Sequence, residues 1–210
     1  MAGDWEGALR LLEAMATAGG DAAPDASSCN MAARACGRAG AWQAARELLN
    51  RSEADFGVAP TERMRRSTLQ ACGKAGRGQA ALEALLEILG EIRAAGGATP
   101  SVYGAAMDAL AAMGRWEECL QLMQTMSEAA VSPDVRAYDS ALHACQAAGE
   151  WQAVYDLLYR MRADEVTTSD TRMGFHVSLW KRAKMELGLA TPKGSKQDRP
   201  RARGNKMGRR

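Results

Sequence analysis

Five cysteines (Cys29, Cys36, Cys72, Cys119, Cys145) and two histidines (His143, His176) could act as nucleophiles or metal ligands in this 210-residue chain. Their spacing suits neither use. The chain has no Cys-x-x-Cys pair, and neither histidine stands at ligand spacing from a cysteine. Cys36, Cys72 and Cys145 share one phase of a recurring pattern in which Leu110 fills the fourth place, and Cys119 occupies a slot that holds Ala8, Ala45 and Ala81 in earlier copies and Val154 in the last. Each stands in for an apolar core residue, and a free thiol packs as a small hydrophobe. The odd count argues against a disulfide framework and for a reducing compartment. A glycine-rich phosphate loop, a nucleophile elbow and a His-Glu-x-x-His pair are all missing. A metal-dependent nuclease centre would need an aspartate cluster, and the last twenty residues hold only Asp198. The chain therefore reads as a non-enzyme, without cofactor, metal or small-molecule substrate.

Charge is the other chemistry on offer. The net charge is only +2, but residues 191–210 carry +7, which leaves the rest of the chain at −5. A whole-chain argument for a polyanionic partner fails, and only a local one survives. The tail "TPKGSKQDRPRARGNKMGRR" has nothing apolar enough to fold it and reads as disordered. Its Arg201 and Arg203 could clamp a nucleic-acid backbone, or the segment could simply solubilise or target the protein. No apolar run approaches the roughly 20 residues of a membrane span. The N-terminus "MAGDWEGALRLLEAMATAGG" has no basic leader before an apolar stretch, which argues against a secretory signal and a typical transit peptide. It reads as a helix already under way, and the chain as a piece of a longer protein.

The elements that would position these groups are repeats. "ACGRAGAWQAARELL" at 35–49 returns as "ACQAAGEWQAVYDLL" at 144–158. Trp5, Trp42, Trp116 and Trp151 each follow a glycine by two residues (Gly3, Gly40, Gly114, Gly149), and Gly76 with Gly78 supplies another in-phase copy. Each copy reads as helix, glycine stop, helix. The second helix carries an apolar stripe such as Trp151, Val154, Leu157, Leu158 and Met161 at helical spacing. Prolines at 24, 60, 100 and 133 break the chain between copies. Neither helix can bury its stripe alone, so the pairs must stack into an all-α solenoid. The tryptophans could stack on bases, but their phase places them with the core-facing stripe. Trp180 lies outside that phase, in a basic final helix that reads as a cap.

The phrase "SPDVRAYDSALHACQAAGEWQAVYDLLYRM" resembles the pentatricopeptide repeat, a Pro-Asp pair followed by an aromatic, a first helix, a glycine, a second helix and a methionine. Here these are Pro133, Asp134, Tyr138, Gly149 and Met161. The preceding copy matches through Tyr103, Gly114, Met126, Pro133 and Asp134, while Cys29 fills the aromatic slot of an earlier one. The resemblance implies a right-handed α-solenoid. Its segments would be a partial repeat at 1–25, repeats at 26–61, 62–99, 100–134 and 135–169, a capping helix at 170–190 and a basic tail at 191–210.

The same resemblance implies binding of single-stranded RNA, one base per repeat, on the inner helices, in a mitochondrion or plastid. The family's first base-reading position falls on Asn30, Arg66, Gly104 and Asp139. The second falls on Thr61, Thr99 (Ser101 if the gap is placed differently), Asp134 and Ser169. Short amides and carboxylates direct donors and acceptors at a base edge. Gly104 has no side chain to do so and Arg66 is too long, so sequence selectivity is expected to be weak. Arg38 and Lys74, late in their helices, and Arg63 and Arg136, near the aromatic slot, are candidates for the RNA backbone. The plainer reading makes them solvated surface charges. The alternative function is a protein-interaction scaffold, favoured by the acidic body; a positive inner surface lined by Arg38, Arg63, Arg66 and Lys74 would favour RNA over it.

Overall fold

The computed structural model describes residues 4–76, 78–94, 96, 98–166 and 170–189. They form α1 (Trp5–Ala18), α2 (Ala26–Ala39), α3 (Trp42–Phe56), α4 (Glu62–Lys74), α5 (Gln79–Ala94), α6 (Pro100–Met113), α7 (Trp116–Glu128), α8 (Val135–Ala148), α9 (Trp151–Ala163) and α10 (Asp170–Glu186). Apart from a short 3₁₀ turn at Gly20–Ala22, no other regular element occurs among the described residues.

Local chemistry sets the helix limits. The even-numbered helices α2 to α8 open on a side-chain cap, which satisfies an amide that has no partner within the helix. Asp25 accepts from the Ser28 amide at 2.8 Å, Thr61 from Met64 at 3.1 Å, Thr99 from Val102 at 3.3 Å and Asp134 from Ala137 at 2.9 Å. Three of these helices stop at a glycine in the left-handed region: Gly40, Gly114 and Gly149, with φ of 75°, 73° and 82°. A side chain there would be strained, so each glycine is both the stop and the bend into the next helix.

The helices form two layers. α2, α4, α6 and α8 pack directly on one another in sequence; α3, α5 and α7 each pack between two of them, while α1 packs on α2 and α9 packs between α8 and α10. The odd-numbered helices make no comparable contact with each other, so the stack curves with the even-numbered layer on its inner side. Glycine permits the closest approach. A methyl group on Gly37 would lie 2.8 Å from the Ser67 carbonyl oxygen, and one on Gly73 would lie 2.6 Å from the Ala109 Cα. The corresponding places in α6 and α8 hold Ala111 and Gln146.

Between the layers runs a continuous core that includes Met64, Leu69, Leu85, Ile88, Tyr103, Met107, Leu110 and Tyr138. All five cysteines are buried free thiols. Desolvation pushes Cys72 and Cys145 up to about 11 and Cys119, which also lies near Cys145, up to about 12. Thiols held neutral in this way make poor nucleophiles. The four in-phase tryptophans are half-buried and pack against the core from the first turns of α1, α3, α7 and α9.

α10 closes the far end. Phe175 stacks on His143 at 5.0 Å, Trp180 stacks on Tyr155 at 4.7 Å, and the Arg182 guanidinium lies 4.8 Å over the Trp151 ring. Trp180 is thus a docking residue for the last helix.

Candidate nucleic-acid interface

The inner layer presents one exposed stripe per helix, spaced by turns. On α2 this stripe holds Asn30, Met31, Arg34 and Arg38; on α4 it holds Arg63, Arg66, Gln70 and Lys74. Asn30 is half-buried, and its Oδ1 accepts a hydrogen bond from the Thr61 hydroxyl at 2.5 Å. That hydroxyl oxygen also accepts the Met64 amide, so the cap of α4 fixes the orientation of the Asn30 amide. The arrangement commits the amide oxygen and leaves the NH₂ group as the donor for the inner face.

The other base-reading candidates are placed differently. Arg66 is exposed, and Thr99 serves as the cap of α6, with Ser101 half-buried two residues on. Gly104 is buried, yet a Cβ added to it would meet nothing within 4 Å. Its companion Asp134 caps α8. Asp139 is half-buried, and its Oδ1 lies 2.7 Å from Nε2 of His176, a residue only 7% exposed on α10. Ser169, Arg201 and Arg203 lie outside the described residues.

The backbone candidates also divide. Arg38, Arg63 and Arg66 are exposed and form no ion pair among the described residues. Lys74 donates to the Arg38 carbonyl oxygen at 3.2 Å, which places a cation at the negative end of α2. Arg136 is neutralised by Asp108 of α6 at 2.6 Å. Sequence reasoning missed Arg34, although it stands one helical turn from both Asn30 and Arg38. It also missed Asp108 and His176, whose roles depend on which helices become neighbours.

Charge is sorted by layer. α2 and α4 hold Arg34, Arg38, Arg63, Arg65, Arg66 and Lys74 against Glu62 alone. In the outer layer, α5 and α7 hold Glu83, Glu87, Glu91, Glu117, Glu118 and Glu128 against Arg93. Arg46 of α3 binds Glu87 at 2.8 Å, and this pairing holds the Glu87 carboxyl below its usual range. The acidity of the body is therefore mostly a property of the outer side. Among the described residues there is no cluster of His, Cys, Asp and Glu that could hold a metal, and no helix is long and apolar enough to cross a membrane.

A curved stack of helix pairs, with basic and amide side chains on its inner face, defines a helical-repeat solenoid. Residues 19–179 match the family described as the pentacotripeptide-repeat region of PRORP, and the chain belongs to the pentatricopeptide repeat family. It is 35% identical over 147 residues to the chloroplastic pentatricopeptide repeat-containing protein 10 of Zea mays. That alignment covers 69% of this chain and 18% of the relative, so the chain spans about a fifth of the relative's length. The fold is similar to that of the maize protein PPR10 in complex with an 18-nucleotide psaJ RNA element (TM-score 0.71, 18% identity, 89% of this chain and 26% of that one). It is also similar to the PPR domain of Arabidopsis thaliana protein-only RNase P 1 in complex with tRNA (TM-score 0.60, 16% identity, 86% of this chain and 91% of that one). The right-handed α-solenoid implied by the repeats is the fold of this family.

Proposed function

We propose that the protein binds single-stranded RNA along its inner face, with most of the affinity supplied by α2 and α4 and with weak sequence selectivity. The observation that carries this reading is that Arg34, Arg38, Arg63 and Arg66 on the inner face form no ion pair among the described residues, while Arg46, Arg51 and Arg160 of the outer layer are each engaged by carboxylates. Unpaired cations on a concave surface attract a polyanion and release its counterions. A negative inner surface would have favoured a protein partner; at α2 and α4 it is positive.

Weak selectivity follows from the contents of the reading positions. The helix starts at Ala26, Glu62, Pro100 and Val135 support repeats at 26–61, 62–99, 100–134 and 135–169. Asn30 with Thr61 is a formed pair; Gly104 offers no side chain, and Asp139 is held by His176. Four bases at one per repeat, with one well-formed reader, cannot define a unique target. The two RNA-bound relatives and the chloroplastic one support a role in processing, stability or translation of an organellar transcript. The basic segment 191–210 would add a backbone clamp.

Fluorescence anisotropy with mixed-sequence RNA and with homopolymers tests the reading. Binding that weakens steeply with salt and differs little between homopolymers is expected. No binding at low salt would sink it. Deleting residues 191–210 should lower affinity and flatten the salt dependence; an unchanged slope would dismiss the clamp.

A further inference from the structure

Two contacts fix how α4 lies on α2. Thr61 meets Asn30, and the Ser67 carbonyl sits where a side chain on Gly37 would project. Arg34 stands between Asn30 and Gly37 on that helix, four residues after the one and three before the other, so it lies against residues 62–66 of α4. This stretch includes Arg63. Neither Arg34 nor Arg63 forms an ion pair among the described residues.

The equivalent junction between α6 and α8 shows what such a position can hold. Counting from the caps, Asp108 corresponds to Arg34, Arg136 to Arg63 and Ser140 to Ser67. There the Asp108 carboxylate receives Arg136 Nη2 at 2.6 Å on one oxygen and Ser140 Oγ at 2.5 Å on the other. At α2–α4 the arginine and the serine recur, but the carboxylate is replaced by a third donor. Ser67 is only 7% exposed, and its hydroxyl forms no hydrogen bond among the described residues and keeps an opening to the surface.

The geometry points to a phosphodiester site between α2 and α4, built from Arg34, Arg63 and the Ser67 hydroxyl, whose counterpart between α6 and α8 is already filled by Asp108. An RNA phosphate at α2–α4 takes the place the carboxylate takes at α6–α8 and separates two like charges that otherwise repel. The inference rests on the RNA-binding reading and adds to it a polarity: the backbone is gripped at the first junction and refused at the third. The two non-bridging oxygens of a monoanionic phosphodiester can accept from both guanidinium groups and the hydroxyl together, as the two Asp108 oxygens accept from one arginine and one serine.

The test is the salt slope of RNA binding, read by anisotropy on the full chain. Arg34→Gln and Arg63→Gln should each reduce the slope by about 0.7 and the affinity about fivefold at 0.1 M salt, as expected for one lost phosphate contact on a single strand. Asp108→Asn should steepen the slope by about 0.7, because it vacates the third junction and frees Arg136. Arg10→Gln on the outer layer is the control and should change neither quantity. Inorganic phosphate at matched ionic strength should compete no better than chloride. Wild-type binding with slopes unmoved by Arg34→Gln and Arg63→Gln would overturn the site and leave the RNA reading standing, whereas no wild-type binding would overturn both. A slope unmoved by Asp108→Asn would remove the claimed equivalence of the junctions. An equal loss from Arg10→Gln would reduce the effect to net charge. Phosphate competition that disappears in Arg63→Gln would assign the site to free phosphate and overturn the diester assignment.

Discussion

The α2–α4 and α6–α8 halves of the inner layer are built alike and equipped differently. Both open their helices on Asp or Thr caps, both stop α2 or α6 and α8 at a left-handed glycine, and both bury a thiol or leucine at the same phase. On the exposed stripe the first half carries arginines without an ion pair among the described residues and a formed Asn30–Thr61 pair, while the second joins its polar groups internally through Arg136–Asp108 and His176–Asp139. Folding and binding are thus written at different positions of the same repeat. A repeat can lose its ligand-facing groups to internal pairs without losing its place in the stack.

The strongest test of this division removes the charge from one side. Replacing Arg34, Arg38, Arg63 and Arg66 together by Gln should weaken RNA binding on the order of 10²–10³-fold at 0.1 M salt, with the circular dichroism spectrum unchanged because all four are exposed. Replacing Arg136 alone should cost far less, since its charge is already spent on Asp108. Comparable losses from the two variants would erase the distinction between the halves.

Next in size is a pair of glycine substitutions with opposite signs. Gly73→Ala places a methyl group 2.6 Å from the Ala109 Cα, and backbone atoms must move, which outweighs the gain in helix propensity and destabilises by about 1–2 kcal/mol. Gly104→Ala meets nothing within 4 Å and should stabilise by up to about 1 kcal/mol. Urea denaturation of both variants measures the difference. The same open space makes Gly104→Asn the variant that would turn the empty reading position into an Asn30-like one beside Asp134. A homopolymer preference worth about 1 kcal/mol, absent from the wild type, is the expected outcome.

Much of the architecture was readable in the residues, because it depends on local rules. Glycine at 40, 114 and 149 stops a helix wherever it stands, and the stripe from Trp151 to Met161 has to find a partner. The interface was only half readable. Asn30 and Arg38 were found from their place in the repeat, but the state of each candidate depends on its neighbour across a junction. Asp139 meets His176 of a helix outside the repeat phase, and Arg136 meets an aspartate 28 positions earlier. Thr61 and Asp134 were read as reading residues, and both also cap helices, a role that sequence position alone does not separate from base contact.

The smallest expected effect concerns what the two halves share. Cys72 lies under the basic half and Cys145 under the neutral one, and burial raises both from 9.0 to about 11. A thiol raised in this way stays protonated in the folded chain while its unfolded counterpart ionises, so the folded state binds more protons above pH 9. Its contribution to stability is complete below pH 9 and is lost as pH rises towards 11. The melting temperature should therefore fall between pH 8.5 and about 11, and Cys72→Ala and Cys145→Ala should each flatten that fall by the same amount, about one proton. The level of stability will differ between the two variants because their cavities differ, so the slope is the readout. Equal flattening places the difference between the halves entirely on the exposed stripe. A flattening confined to one variant would mean that the core itself is unequal, and that the charges of α2 and α4 sit on a stack that solvent enters more easily.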